Sequence, residues 1–165
     1  MQQQLEKEIK AINDGIGFDI YRGTIEDIDM RLELFKSWND LIEKGKQSND
    51  SKIQTISKQL EAKVKKVQQK EFPKMRKEYA DIADKLLWEH NIDVTVTGTG
   101  NKYINLTGGI FASNGNIKDT QTELKLMLYK LRFNQTRYRW YRNQDEYTYY
   151  NMKGKSDTEP VTLLY

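Results

Sequence analysis

One apolar series constrains the fold of this chain more than any other feature. Ile53, Ile56, Leu60, Val64, Val67, Phe72, Met75, Tyr79, Ile82 and Leu86 follow one another at steps of three and four residues, with one step of five between Val67 and Phe72. That spacing lines one side of a helix with apolar side chains, close to a coiled-coil seam. Pro73 sits at the irregular step. Proline has no N–H to bond one turn back and its ring crowds the preceding carbonyl, so a kink or a break is expected there.

A helix from residue 50 to 90 spans about 60 Å at ~1.5 Å per residue. Its natural partner opens at Thr24, where "TIED" has the form of a capping box with Asp in place of the usual Glu. Ile25, Ile28, Leu32, Phe35, Trp38, Leu41 and Ile42 continue that helix to about Lys46. It spans only about 35 Å, so an antiparallel hairpin leaves the 73–90 end unmatched. A short first helix over residues 2–13, with Leu5, Ile9 and Ile12 on one side, or a second protomer, is expected to cover the rest. Leu60, Val64, Val67, Phe72, Met75 and Tyr79 are the expected association seam.

From Asn91 the period changes to two. Ile92, Val94 and Val96 alternate with Asp93, Thr95 and Thr97, "GTGNK" turns the chain, and Tyr103–Thr107 returns it. A loop with an apolar insert, Ile110-Phe111, leads to Thr120-x-x-Glu123, which opens a helix bearing Leu124, Met127, Leu128 and Leu131. A second hairpin runs out over 132–142, turns at "NQDE" and returns over 146–153. "GKSDTEP" reads as a flexible loop and "VTLLY" as a possible last strand. The expected fold is α+β: an N-terminal helical hairpin or short coiled coil over 1–90, then a small antiparallel β-β-α-β-β domain over 91–165.

Composition narrows the chemistry. The chain has 165 residues, no cysteine and one histidine, His90. Disulfides, thiolate metal sites, Cys nucleophiles and His-rich zinc sites are thereby excluded, and no cofactor or metal is implied. Net charge is only +3, with 27 Lys and Arg against 24 Asp and Glu, which does not by itself point to nucleic acid. No apolar run reaches the roughly 18–20 residues that would cross a bilayer. "GTGNK" and Gly108-Gly109 resemble phosphate loops only superficially, because a strand rather than a helix N-terminus follows the first and no helix follows the second directly. Carboxylate pairs such as Asp27/Asp29 and Asp81/Asp84 alternate with Lys and Arg as solvated helix faces do.

Two surfaces could carry contact. Residues 58–77 hold eight Lys and Arg against two Glu, a basic helical segment that suits either phosphates or an acidic neighbouring helix. In "RYRWYRNQDEYTYYNMK", alternation sets Arg137, Arg139 and Tyr141 on one face, with Tyr147 and Tyr149 sharing a face on the return strand. Such Arg and Tyr rows suit cation–π pairing across strands and docking of a protein partner. The expected function is therefore a non-enzymatic binding or scaffold module. The helical region gives reach or self-association, and Arg137, Arg139, Tyr141, Tyr147 and Tyr149 form the partner face. The alternative is a nucleic-acid-binding protein that uses the basic helix 58–77 and the Arg-rich strand 132–142. An abrupt helical start and Tyr-, Asn- and Thr-rich strands suggest an envelope protein after loss of a leader; a cytoplasmic chain starting at Met1 is the competing expectation.

Overall fold

A computed structural model describes residues 1–20, 22–112, 124–140, 148–151 and 154–162. No helix among them is long and apolar enough to cross a membrane. The chain is α+β and divides into two compact units. The first holds Met1–Arg22, Glu26–Glu71 and Asp157–Leu164; the second holds Gly23–Ile25, Phe72–Ser156 and Tyr165. Composition changes at residue 90, whereas the contacts change at Glu71 and Phe72, inside a helix.

The first unit contains α1 (Gln2–Asp14), α2 (Ile25–Lys46) and the first part of α3 (Ser51–Leu87). Asp50 caps α3: its Oδ1 accepts the Lys52 N–H at 2.8 Å, and its carbonyl accepts the Gln54 N–H. Leu5, Ile28, Leu32, Phe35, Trp38, Ile42, Leu60 and Val64 are almost wholly buried. Phe35 lies between Phe18, edge-on at 6.0 Å, and Trp38 at 5.9 Å, and the Trp38 indole N–H donates to Glu8 at 2.8 Å. Gly45 meets Ser57 so closely that a Cβ at Gly45 would stand 1.9 Å from Ser57 Oγ. "GKSDTEP", expected as a flexible loop, is anchored at its end: Gln68 Nε2 donates to the carbonyls of Asp157 (3.0 Å) and Glu159 (2.8 Å), and Val161 is buried. Residues 161 and 162 are not in a strand, and 163–165 lie outside the described residues.

α3 runs without a break through Pro73. The proline forfeits only the bond to the Gln69 carbonyl, and burial of Phe72 and Met75 on either side holds the helix together. A first helix or a second protomer was expected to cover the far end of the seam. Later residues of the second unit cover this part of the seam at Phe72 and Tyr79, while Leu86 at its end is exposed. Phe133 meets the Tyr79 ring at 6.4 Å, and the Arg132 guanidinium lies 4.5 Å from the Phe72 ring centre.

The second unit's sheet is ordered β1 (Ile92–Thr97), β2 (Tyr103–Gly108), β3 (Gln135–Trp140), β4 (Thr148–Asn151). β1–β2 and β3–β4 are antiparallel, but β2 and β3 are parallel. An antiparallel sheet throughout was expected, so this is a correction at its centre. Residues 124–130 are helical and lie within the connection between β2 and β3, and such a crossover returns the chain to the end where β2 began. The Asn134 N–H donates to the Lys102 carbonyl at 2.9 Å and sets β3 beside the start of β2. The turn that ends the helix at 124–130 places Arg132 at φ 60°, with Phe133 N–H bonded to Leu128 O and Arg132 N–H to Tyr129 O. This Schellman geometry usually recruits glycine. Arg132 occupies it because its buried side chain packs on Phe72 and donates to the Ser156 carbonyl.

Candidate functional site

The sheet is tied to α3 by side chains that the basic composition of 58–77 does not reveal. Arg76 is fully buried; its Nε donates to Gly100 O at 2.7 Å and its Nη1 to Leu131 O at 3.0 Å. Asn101 Nδ2 donates to the Pro73 carbonyl at 3.0 Å, and Asp84 Oδ1 accepts the Val94 N–H at 2.7 Å, covering part of the β1 edge. Other cations of the segment are also engaged: Lys65 with Glu61 (2.9 Å), Lys63 with Asn13 (2.6 Å) and Lys77 with Asp81. Lys65 and Lys77 pair along their own helix, and Lys46 of α2 reaches Glu61 of α3 at 2.9 Å. Glu61's carboxyl is held below its usual range by the Lys65 hydrogen bond and then by Lys46.

One face of the sheet is buried and the other faces solvent. Ile92, Val94, Ile104, Leu106, Thr136 and Tyr138 point inward, and burial pushes the Tyr138 phenol above its ordinary range. Their neighbours in sequence carry the open face. Register aligns Asp93, Thr107 and Arg139 in one row. Thr95, Asn105, Arg137 and Tyr149 occupy the next, and Thr97, Tyr103, Gln135 and Asn151 the third. Asp93, Thr95, Thr97 and Thr107 are exposed, while Tyr103, Asn105, Gln135, Arg137 and Arg139 are half-buried. Arg137 lies 4.9 Å from the Tyr103 ring centre and bonds Gln135 Oε1 at 2.9 Å, and Asn105 Nδ2 bonds Thr97 Oγ1 at 3.0 Å. The result is a face made largely of Thr, Asn, Gln, Arg and Tyr, braced by contacts within itself.

Arg137 and Arg139 thus share the solvent face, and Tyr149 holds the register position opposite Arg137. Tyr141 and Tyr147 lie outside the described residues. Of the expected association seam, Leu60, Val64, Phe72, Met75 and Tyr79 are buried within the chain and Val67 is half-buried.

A second feature went unread in the sequence. Leu86, Trp88, Ile110 and Phe111 are 68, 75, 65 and 86% exposed. They sit where α3 ends and where β2 hands over to the next loop, and Asn91 joins the two places. In a left-handed conformation (φ 56°, ψ 43°), Asn91 donates its N–H to Trp88 O at 3.0 Å. Its carbonyl accepts the Gly109 N–H at 2.8 Å, and its Oδ1 accepts the Phe111 N–H at 3.3 Å. The signal available was Leu86 at the end of the seam, next to Trp88 off the seam. Register alone does not show which side of a helix end is left uncovered.

Among the described residues no group of three or more His, Cys, Asp or Glu is placed to hold a metal ion. His90 is exposed. Comparison with protein-family models, with curated proteins and with solved structures finds no match to this chain.

Proposed function

We propose that the chain is a non-enzymatic protein-binding module whose contact surface is the open face of the sheet. The observation that carries this reading is the alignment of Arg137 and Arg139 with Tyr103, Asn105, Thr107 and Asp93 on one solvent-facing side. Rows that mix both charges with Arg and Tyr suit the polar part of a protein interface, where Arg and Tyr are enriched. In the proposal Tyr141, Tyr147 and Tyr149 extend this face. Residues 1–90, as a helical hairpin or short coiled coil, give reach, and residues 91–165 in β-β-α-β-β order present the contact surface.

The nucleic-acid alternative draws less support. Arg76 and Arg132 are buried, and Lys63, Lys65 and Lys77 are engaged. The Tyr103 ring is covered by Arg137, which removes a stacking platform for a base. The test compares the wild-type chain with an Arg137→Glu/Arg139→Glu variant as immobilised bait. Partners retained by the wild type are expected to bind the variant at least tenfold more weakly. An unchanged set of partners refutes the proposal, and so does tight, salt-sensitive binding of a single-stranded oligonucleotide that the same variant abolishes.

A further inference from the structure

We infer that the outer edge of β1, from Val94 to Thr97, is a second binding site, and that it takes an extended segment of a protein partner as an added strand of the sheet. β1 ends the strand order, so it has a strand neighbour on one side only. Two bonds fix which residues turn their backbone outward. The Val94 N–H goes to Asp84 Oδ1 rather than to β2, and the Asn91 carbonyl accepts the Gly109 N–H. Bonded residues alternate along an antiparallel pair, so Asp93, Thr95 and Thr97 join β2, while Val94 and Val96 turn their N–H and C=O to the open side. Asp84 satisfies one of these groups. Among the described residues nothing bonds the Val94 carbonyl, or the N–H and carbonyl of Val96.

A row of main-chain donors and acceptors without partners is recognised by another extended backbone, which supplies the complementary groups at the same spacing. The side chains agree. Val96 lies in one inward row with Ile104 and Thr136, which are almost wholly buried, yet Val96 itself is only half-buried. An apolar residue opposite Val96 on an added strand completes that row, and polar residues on either side of it continue the open face beside Thr95 and Thr97. The segment that fits therefore alternates apolar and polar residues. No charge, proline or bulge guards the edge between Val94 and Thr97, although such devices commonly blunt edge strands. A second copy fits this edge less well. α3 runs along it, with Pro73 bonded by Asn101, Arg76 bonded to Gly100 and Asp84 bonded by Val94. Two copies joined about a twofold axis at β1 would bring both α3 helices to the same side of one joint. A single extended segment carries no helix.

The test selects heptapeptides from a random displayed library on the immobilised full chain. Synthetic copies are then measured by fluorescence anisotropy and by residue-resolved amide exchange in isotope-labelled protein. In the free chain the Val96 N–H should exchange fast and the Thr95 N–H slowly. Selected peptides should alternate apolar and polar residues and slow the exchange at Val96. Val96→Pro removes the outward N–H without touching the β1–β2 ladder, and should weaken binding by about tenfold or more, the effect of losing one hydrogen bond at the joint. The exchange measurement on the wild-type chain decides the matter even where circular dichroism shows that Val96→Pro unfolds. A Val96 N–H already protected in the free chain overturns the inference. So do a library that yields no binder, peptides that leave exchange at Val96 unchanged, and binding that folded Val96→Pro keeps intact. Protection at Val96 that grows with protein concentration alone also overturns it and assigns the edge to a second copy. The site uses neither Arg137 nor Arg139, so the peptides should bind the Arg137→Glu/Arg139→Glu variant as they bind the wild type, and failure of the sheet-face proposal leaves this result separately readable.

Discussion

Gly45→Ala sets two known effects of opposite sign against each other. Alanine in place of glycine near the end of a helix gains at most about 1 kcal/mol of helix propensity. Against it, the new Cβ would lie 1.9 Å from Ser57 Oγ, 3.0 Å from Ser57 Cβ and 3.4 Å from Leu5 Cδ1. Rotation of Ser57 relieves only the first contact, and it abandons the 2.8 Å bond from Ser57 Oγ to the Ile53 carbonyl in a fully buried residue. Leaving a buried hydroxyl unbonded costs about 1–3 kcal/mol, and overpacking a core adds a cost of similar size. The steric effect therefore wins, and Gly45→Ala should destabilise by about 1–3 kcal/mol. Ser57→Gly removes both atoms that the new methyl would strike. In that background the same substitution should become neutral or stabilise by up to about 1 kcal/mol, which is a coupling of about 2 kcal/mol. Urea unfolding of the four chains of this cycle, followed by far-UV circular dichroism, reads the coupling directly. Stabilisation by Gly45→Ala in the wild-type background, or equal effects in both backgrounds, would show that the close approach of α2 and α3 is misjudged.

Further expectations concern groups buried with unusual bonding. Thr136 Oγ1 and the Tyr138 hydroxyl are buried without a hydrogen-bond partner among the described residues, so Thr136→Val and Tyr138→Phe should each raise stability by about 1 kcal/mol; a loss of that size in thermal unfolding would contradict this. Gln68→Met removes the bonds to Asp157 and Glu159 and the one accepted from Asn39, and should cost about 2 kcal/mol and open residues 154–162 to limited proteolysis. Glu61, held below its usual range by Lys65 and Lys46, contributes stability that is fully present above the unfolded carboxylate value of about 4.3 and is lost as pH falls through its lower folded value. Glu61→Gln should therefore flatten the acid limb of stability below about pH 5; an acid limb unchanged from wild type would refute the role of this cluster.

Much of the secondary structure was legible in the sequence. The seam from Ile53 and the α2 segment after Thr24 each carry their signal within a few neighbouring residues, and each is found where it was read. The alternation at Arg137, Tyr138 and Arg139 likewise separated an open face from a buried one. The candidate site was legible in part. Its β3 residues were named in advance, but the contributions of Tyr103, Asn105 and Asp93 depend on which strands pair and in what register.

Periodicity, capping residues and turn glycines determined where helices and strands form, because each acts over one or two turns of chain. Tertiary structure alone decided what covers the later part of the seam. Burial of Phe72 and Tyr79 is completed by Arg132 and Phe133, more than fifty residues later in sequence. It also decided that β3 runs parallel to β2, since a crossover permits either direction until the returning chain packs. The same holds for Leu86: it belongs to the apolar series by spacing, yet it is 68% exposed because no described neighbour buries it at the helix end. Spacing places a side chain on a face of its helix, and only the packed neighbours determine whether that face is core or surface.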